Sequence, residues 1–204
     1  AAHRDGRDEV RVLLTGAGGP ASVGVARSLR LAGHYVVGVD CDQYMLQFAE
    51  THKRYRVPRA DSPEYVTALQ NIALDERIDF LHAQPDPEVR AISENREALP
   101  RTLLPSHAVV VTCQDKMATY SVLEKAGVPV PRSMTLGSVV DLNTAWNTFW
   151  EAGKMWTRSR YGAAGNGAYL AVEDRFDEVW RWIDSKNGWG SFMASEYLPG
   201  RCVT

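Results

Sequence analysis

Trp156-Thr157-Arg158-Ser159-Arg160-Tyr161-Gly162-Ala163-Ala164-Gly165-Asn166-Gly167 is the stretch on which the reading of this chain turns. Two arginines stand at the end of a predicted strand. A loop of small residues follows, and then a second strand-like run, Ala168-Tyr169-Leu170-Ala171-Val172. Glycine and alanine let backbone N–H groups approach a polyanion without obstruction. A guanidinium beside such a loop adds charge and a planar fork of donors for phosphate oxygens. One reading is a nucleoside triphosphate held under a flexible lid. The bland alternative is an ordinary hairpin turn between two sheet strands.

Working outward, the elements around this loop form the second half of the chain. A helix is expected from about Gln114 to Lys125, ending at Gly127. Val128-Pro129-Val130-Pro131 cannot continue a helix and reads as an extended connector. From Ser133 the pattern runs strand, helix (Leu142–Glu151), strand (Met155–Arg158), glycine loop, strand, helix (Phe176–Ser185), strand (Phe192–Tyr197). Trp146, Trp150, Trp180 and Trp182 stand at helical spacings and read as packing groups under a sheet.

The first half alternates strands and helices. Val12-Leu13-Leu14-Thr15 ends in Gly16-Ala17-Gly18-Gly19-Pro20, a helical pattern follows to Gly33, and Tyr35–Asp40 is the next strand. Such a unit is parallel and right-handed in nearly all cases. Further strands at Tyr55–Val57 and Phe80–Ala83 precede helices near Pro63–Leu74 and Pro87–Ala98. This alternation predicts an open parallel sheet covered on both faces.

Composition narrows the class. A chain of 204 residues with net charge −2 can bury a real core and carries no basic field for nucleic acid or a membrane surface. No apolar run approaches the roughly 20 residues of a membrane span. Ala1–Glu9 has no apolar signal core. Cys41, Cys113 and Cys202 are odd in number and lack metal-ligand spacing, so they read as reduced thiols of a cytoplasmic protein.

The loop Gly16–Gly19 offers a rival function. A glycine turn after a strand, with Asp40 ending the next strand, is what a dinucleotide site uses for pyrophosphate and ribose. Its spacing is out of register: the fingerprint's third glycine falls on Ala21, and the next glycine is Gly24. The alternative is that these glycines let the helix pack close to the sheet.

The order of parts is more specific than any one of them. Asp115-Lys116 opens a helix, Gly127-Val128-Pro129-Val130-Pro131 follows, and then come Arg158, the loop and Ser195-Glu196-Tyr197-Leu198-Pro199-Gly200. This series resembles the ATP-grasp ligase superfamily, in particular its carbamoyl-phosphate-synthase-like and biotin-carboxylase-like branch, over roughly residues 11–200. The resemblance implies an α/β fold: a Rossmann-like pre-ATP-grasp domain with a parallel sheet (1–112), a linker helix and connector (113–131), and the first α+β subdomain of an ATP-grasp fold (132–204), incomplete at the hinge. It implies that Lys116 and Arg158 reach ATP phosphates. By the same likeness Gly162, Ala163, Ala164, Gly165 and Gly167 belong to the loop that closes on them. Glu196, Tyr197 and Leu198 match the hinge whose backbone reads the adenine edge. Gly16, Gly18 and Gly19 would then face the acceptor substrate, and no nicotinamide is needed.

Two departures qualify the likeness. Cys202 stands where the superfamily commonly has an acid for the ribose hydroxyls, and a thiol is a weak partner. The Mg²⁺ ligands and catalytic residues implied by the resemblance are expected beyond Thr204, so the chain reads as the N-terminal part of a longer enzyme, inactive alone. The implied reaction makes an acyl phosphate from a small carboxylate and ATP, for attack by an amine-type nucleophile. A homodimer is compatible with it. The alternatives are an NAD(P)-dependent oxidoreductase or epimerase working through the Gly16 loop, and a non-catalytic nucleotide-binding module.

Overall fold

The computed structural model describes residues 9–149, 153–162, 167–172 and 175–200. The chain separates into two compact units, 1–110 and 111–204.

In the first unit the strands are β1 (Arg11–Thr15), β2 (Tyr35–Asp40), β3 (Lys53–Arg56), β4 (Phe80–His82) and β5 (Arg101–Thr102). They form one sheet in the order β3-β2-β1-β4-β5, and every pairing is parallel. The helices between them are α1 (Pro20–Leu31), α2 (Gln43–Leu46), α3 (Tyr65–Asp75) and α4 (Asp86–Glu94). Adjacent residues of one strand serve opposite faces. Leu13, Val37 and Val39 join a cluster with Tyr65 and Leu69 of α3 and Ile92 of α4, while Leu14 and Val36 pack with Ala26 of α1 and Leu46 of α2. Burial on both faces is why these strands are continuous apolar runs. At the entry ends of the strands Glu76 is a buried anchor: it accepts from Lys53 Nζ at 2.6 Å and Arg11 Nη2 at 3.2 Å.

In the second unit α5 (His107–Gln114) leads across the boundary into α6 (Lys116–Lys125). The single helix expected from Gln114 thus begins one residue after a break. Asp115 is that break: it has extended backbone and caps α6, accepting from Met117 N at 3.0 Å and Ala118 N at 3.4 Å. Gly127 follows α6 with φ +77°, a conformation that favours glycine. Beyond the connector come β6 (Ser133–Leu136), α7 (Val139–Phe149), β7 (Lys154–Ser159), β8 (Ala168–Val172), α8 (Phe176–Ser185) and β9 (Phe192–Glu196). The four strands form an antiparallel sheet in the order β6-β9-β7-β8.

Helices α7 and α8 cover one face of this sheet through Leu142, Ala145, Val179 and Ile183 against Met155, Ala171 and Ala194. Trp146, Trp180 and Trp182 pack against that cluster, Trp146 edge-on to Phe176 at 4.6 Å and Trp182 edge-on to Phe192 at 5.0 Å. Trp150 lies outside the described residues. With period two, the side chains of Trp156 and Arg158 are left for the opposite face. Among the described residues no helix is long and apolar enough to cross a membrane.

Candidate functional site

The face of the second sheet that the helices leave open carries a cavity of about 510 Å³. Its walls are Trp156 and Arg158 from β7, Tyr120 from α6, Pro131 from the connector, and Ser195 to Leu198 with Gly200 at and after the end of β9. This is within the roughly 300–1,000 Å³ range of small-molecule sites, with an apolar wall and few polar groups. Register explains the convergence. Trp156 lies opposite Ser195 and Arg158 opposite Met193, so β7 and β9 present the same face together. Ser195 in turn shares a 2.7 Å hydroxyl contact with Ser133 of β6.

Arg158 is the cationic residue among those that line this cavity, and Glu196 the acidic one. Its Nη2 donates to the Tyr120 hydroxyl, and its guanidinium carbon stands 5.7 Å from the Tyr120 ring centre. Its Nε is buried and has no hydrogen-bond acceptor among the described residues. A buried donor left unpaired costs free energy, about 1–3 kcal/mol, and more when charged.

Lys116 is placed differently from what the resemblance implies in a nucleotide-bound state. Its ammonium donates to Gly162 O at 2.8 Å and Arg160 O at 3.2 Å, and its backbone N–H also donates to Arg160 O at 3.1 Å. The neighbouring Asp115 carboxylate takes Arg160, with Nη2–Oδ2 2.5 Å and Nε–Oδ1 3.2 Å. Burial alone would raise the Asp115 pKa, but Arg160 and the backbone donors of Ala118 and Met117 outweigh it and hold it below the usual carboxylate range. The residue pair that opens α6 therefore ties down the start of the glycine loop. Sequence reading singled out Lys116 and missed the Asp115–Arg160 pair.

The loop itself connects two antiparallel strands, closed by Ser159 N donating to Gly167 O at 2.8 Å. Gly162 has φ +86° with open space around its α-carbon, and Gly167 has φ +75°. Ala163, Ala164 and Gly165 lie outside the described residues, as does Cys202.

At the end of β9, Glu196 is a structural clasp. Its carboxylate accepts from Arg132 N at 2.8 Å and Arg132 Nε at 2.7 Å, which together hold its pKa below the ordinary value. Its own N–H donates to Arg132 O at 3.0 Å. Tyr197 and Leu198 follow in the cavity wall. Lys154 Nζ lies 5.3 Å from the Tyr197 ring centre.

The Gly16 loop in the first unit is built on packing. A Cβ on Gly18 would fall 1.9 Å from Met45 O, and one on Gly16, which has φ +54°, 2.4 Å from Pro85 Cγ. A Cβ on Gly19 would lie 3.2 Å from Gly16 O. Both Asp40 oxygens are engaged by backbone, Oδ2 with Gly18 N at 3.2 Å and Oδ1 with Asp42 N at 2.9 Å. Beside this loop Glu88 of α4 is 5 % exposed, and its Oε2 has no partner among the described residues. Burial pushes its pKa up to about 7, the Thr15 hydroxyl opposes that shift, and the Asp40 charge adds to it. Sequence reading missed Glu88, because an acid in the first turn of a helix is ordinary.

Among the described residues no group of three or more His, Cys, Asp or Glu side chains could hold a metal ion. Cys41 and Cys113 are free thiols.

No protein-family model and no curated protein sequence matches the chain. Solved structures do match. A carboxyaminoimidazole ribonucleotide synthase from Aspergillus clavatus, complexed with ATP, superposes with a TM-score of 0.72 at 17 % identity, over 94 % of this chain and 48 % of that one. An L-amino acid ligase from Bacillus licheniformis gives 0.70 at 12 % identity, over 95 % and 45 %. The biotin carboxylase domain of the 2-oxoglutarate carboxylase from Hydrogenobacter thermophilus, with MgADP, ADP and bicarbonate, gives 0.68 at 14 % identity, over 95 % and 45 %. These are ATP-grasp ligases, and the fold of this chain is that of their N-terminal part. The chain spans about half the length of the structures it matches.

Proposed function

We propose that this chain is the nucleotide-binding N-terminal portion of an ATP-dependent carboxylate–amine ligase, with ATP seated in the cavity of the second unit. The observation that carries the reading is Arg158, a guanidinium held by Tyr120 at the wall of a cavity of small-molecule size. A phosphate oxygen is an acceptor that its planar fork of donors fits. Trp156, Pro131 and the backbone after β9 give the same cavity an apolar wall and edge donors for a purine. The fold shared with ligases crystallised with ATP and with MgADP supports the choice of nucleotide.

In this reading Lys116 exchanges the carbonyls of Arg160 and Gly162 for phosphate when ATP enters. The loop Gly162–Gly167 covers the β- and γ-phosphates, and the backbone groups of the Glu196–Leu198 segment read the adenine edge. In the first unit, Gly16, Gly18 and Gly19 stand at the carboxyl end of the parallel strands, where such sheets take ligands, and are the residues assigned to face the acceptor substrate. ATP supplies the phosphoryl group that converts the carboxylate to an acyl phosphate, leaving ADP; an amine-type nucleophile then attacks the carbonyl carbon and releases phosphate. The side chains named here bind and orient, which is the larger part of catalysis in such transfers. Mg²⁺, which the resemblance implies, finds no matching donor set among the described residues.

Titration calorimetry tests the reading. In the full-length protein, Arg158→Ala removes a charge-assisted hydrogen bond worth about 1.5–3 kcal/mol, so ATP affinity falls about tenfold or more. Unchanged affinity rules out the phosphate assignment.

A further inference from the structure

We propose that Tyr120 is the positioning residue of this anion site, fixing the Arg158 guanidinium at the cavity wall so that its free donors meet phosphate. The inference rests on the nucleotide reading and adds a residue that the order of sequence motifs does not single out. An arginine side chain has four rotatable bonds, and left to itself it would fold out toward water. Two contacts prevent that here. Tyr120 accepts from Arg158 Nη2, and the guanidinium carbon lies 5.7 Å from the Tyr120 ring centre, within cation–π range. Both residues line the cavity, one from a helix and one from a strand. With one end of the planar fork held, the plane of the guanidinium is fixed, and with it the direction of the donors that face the cavity.

The anchor has its own foundation. Tyr120 sits on α6, whose first turn is capped by Asp115. Thr119, its neighbour, donates through its hydroxyl to Thr112 O at 2.8 Å, which ties α6 to the end of α5. The ring therefore stands on a braced helix rather than on a loop. The consequence is preorganisation: the ordering cost of the arginine is met before the ligand arrives.

The test is Tyr120→Phe, which keeps the ring and removes the acceptor. Melting temperature first establishes that the variant folds. Kd values for ATP, ADP and adenosine are then measured for the wild type, Tyr120→Phe, Arg158→Ala and the double variant. Tyr120→Phe is expected to weaken ATP and ADP roughly five- to tenfold and to leave adenosine unchanged. In the Arg158→Ala background the same change is expected to have almost no effect, because there is no guanidinium left to hold. Wild-type affinity for ATP in Tyr120→Phe overturns the inference. Equal weakening of ATP and adenosine also overturns it, since that is the signature of a merely structural role. If the wild type binds adenosine and ATP not at all, the nucleotide reading itself has failed.

Discussion

The chain has two glycine loops that follow a strand, and they are built on opposite principles. In the first, Gly18 lies against the Met45 carbonyl, Gly16 against Pro85, and Asp40 spends both oxygens on local backbone N–H groups. In the second, Gly162 has open space around it, and the loop stem is held by charge: Lys116 on two carbonyls and Asp115 on Arg160. Left-handed backbone occurs in both, at Gly16 with φ +54° and at Gly162 with φ +86°, but a Cβ on Gly16 or Gly18 would collide at 2.4 or 1.9 Å while one on Gly162 would meet nothing within 4 Å. A glycine pattern alone does not separate these uses; the neighbours that a Cβ would meet do.

The comparison can be broken most strongly at Glu88, the buried acid beside the first loop. Its folded-state pKa of about 7 lies above the ordinary 4.5. The folded state therefore holds a proton that the unfolded state releases, and stability is full below pH 4.5 and declines as pH rises toward 7. The loss amounts to at most about 3 kcal/mol. Glu88→Gln removes it, so between pH 5 and 8 the melting temperature of the variant should fall less than that of the wild type. Parallel curves for the two proteins would show that Glu88 is ionised in the folded state.

A smaller effect separates the two loops directly. Gly18→Ala forces a methyl into a backbone carbonyl and should destabilise by about 2–3 kcal/mol. Gly162→Ala meets no atom and carries only left-handed strain, about 1–2 kcal/mol. Urea unfolding of both variants measures the difference. A larger loss at Gly162 would invert the assignment of packing to the first loop.

Much of this architecture was legible in the sequence. The β/α alternation from Val12 to Ala83 gives a parallel sheet because buried strands must be apolar on both faces. Val128–Pro131 marks the change to an antiparallel sheet because proline forbids helix there. Short elements were not legible: β5 is two residues, and α2 is a single turn capped by Asp42. Asp115-Lys116 was legible as a helix start, but α5, the eight-residue helix just before that cap, was not, because a short helix leaves little periodicity of its own. In the site, Arg158 was readable from its place before the glycines. Tyr120, Trp156 and the Asp115–Arg160 pair were not. Tyr120 reaches Arg158 across 38 positions and Asp115 reaches Arg160 across 45, and only sheet register and helix placement bring them together.

The most direct test is to ask which loop region touches nucleotide. Photolabelling with 8-azido-ATP followed by peptide mapping reports contact without presuming a reaction. Label should fall on peptides that contain Tyr120, Trp156 or Ser195–Gly200, and excess ATP should protect them while NAD does not. Protectable label on the segment from Gly16 to Asp42, or protection by NAD in place of ATP, would contradict a nucleotide site in the second unit and move it to the first loop.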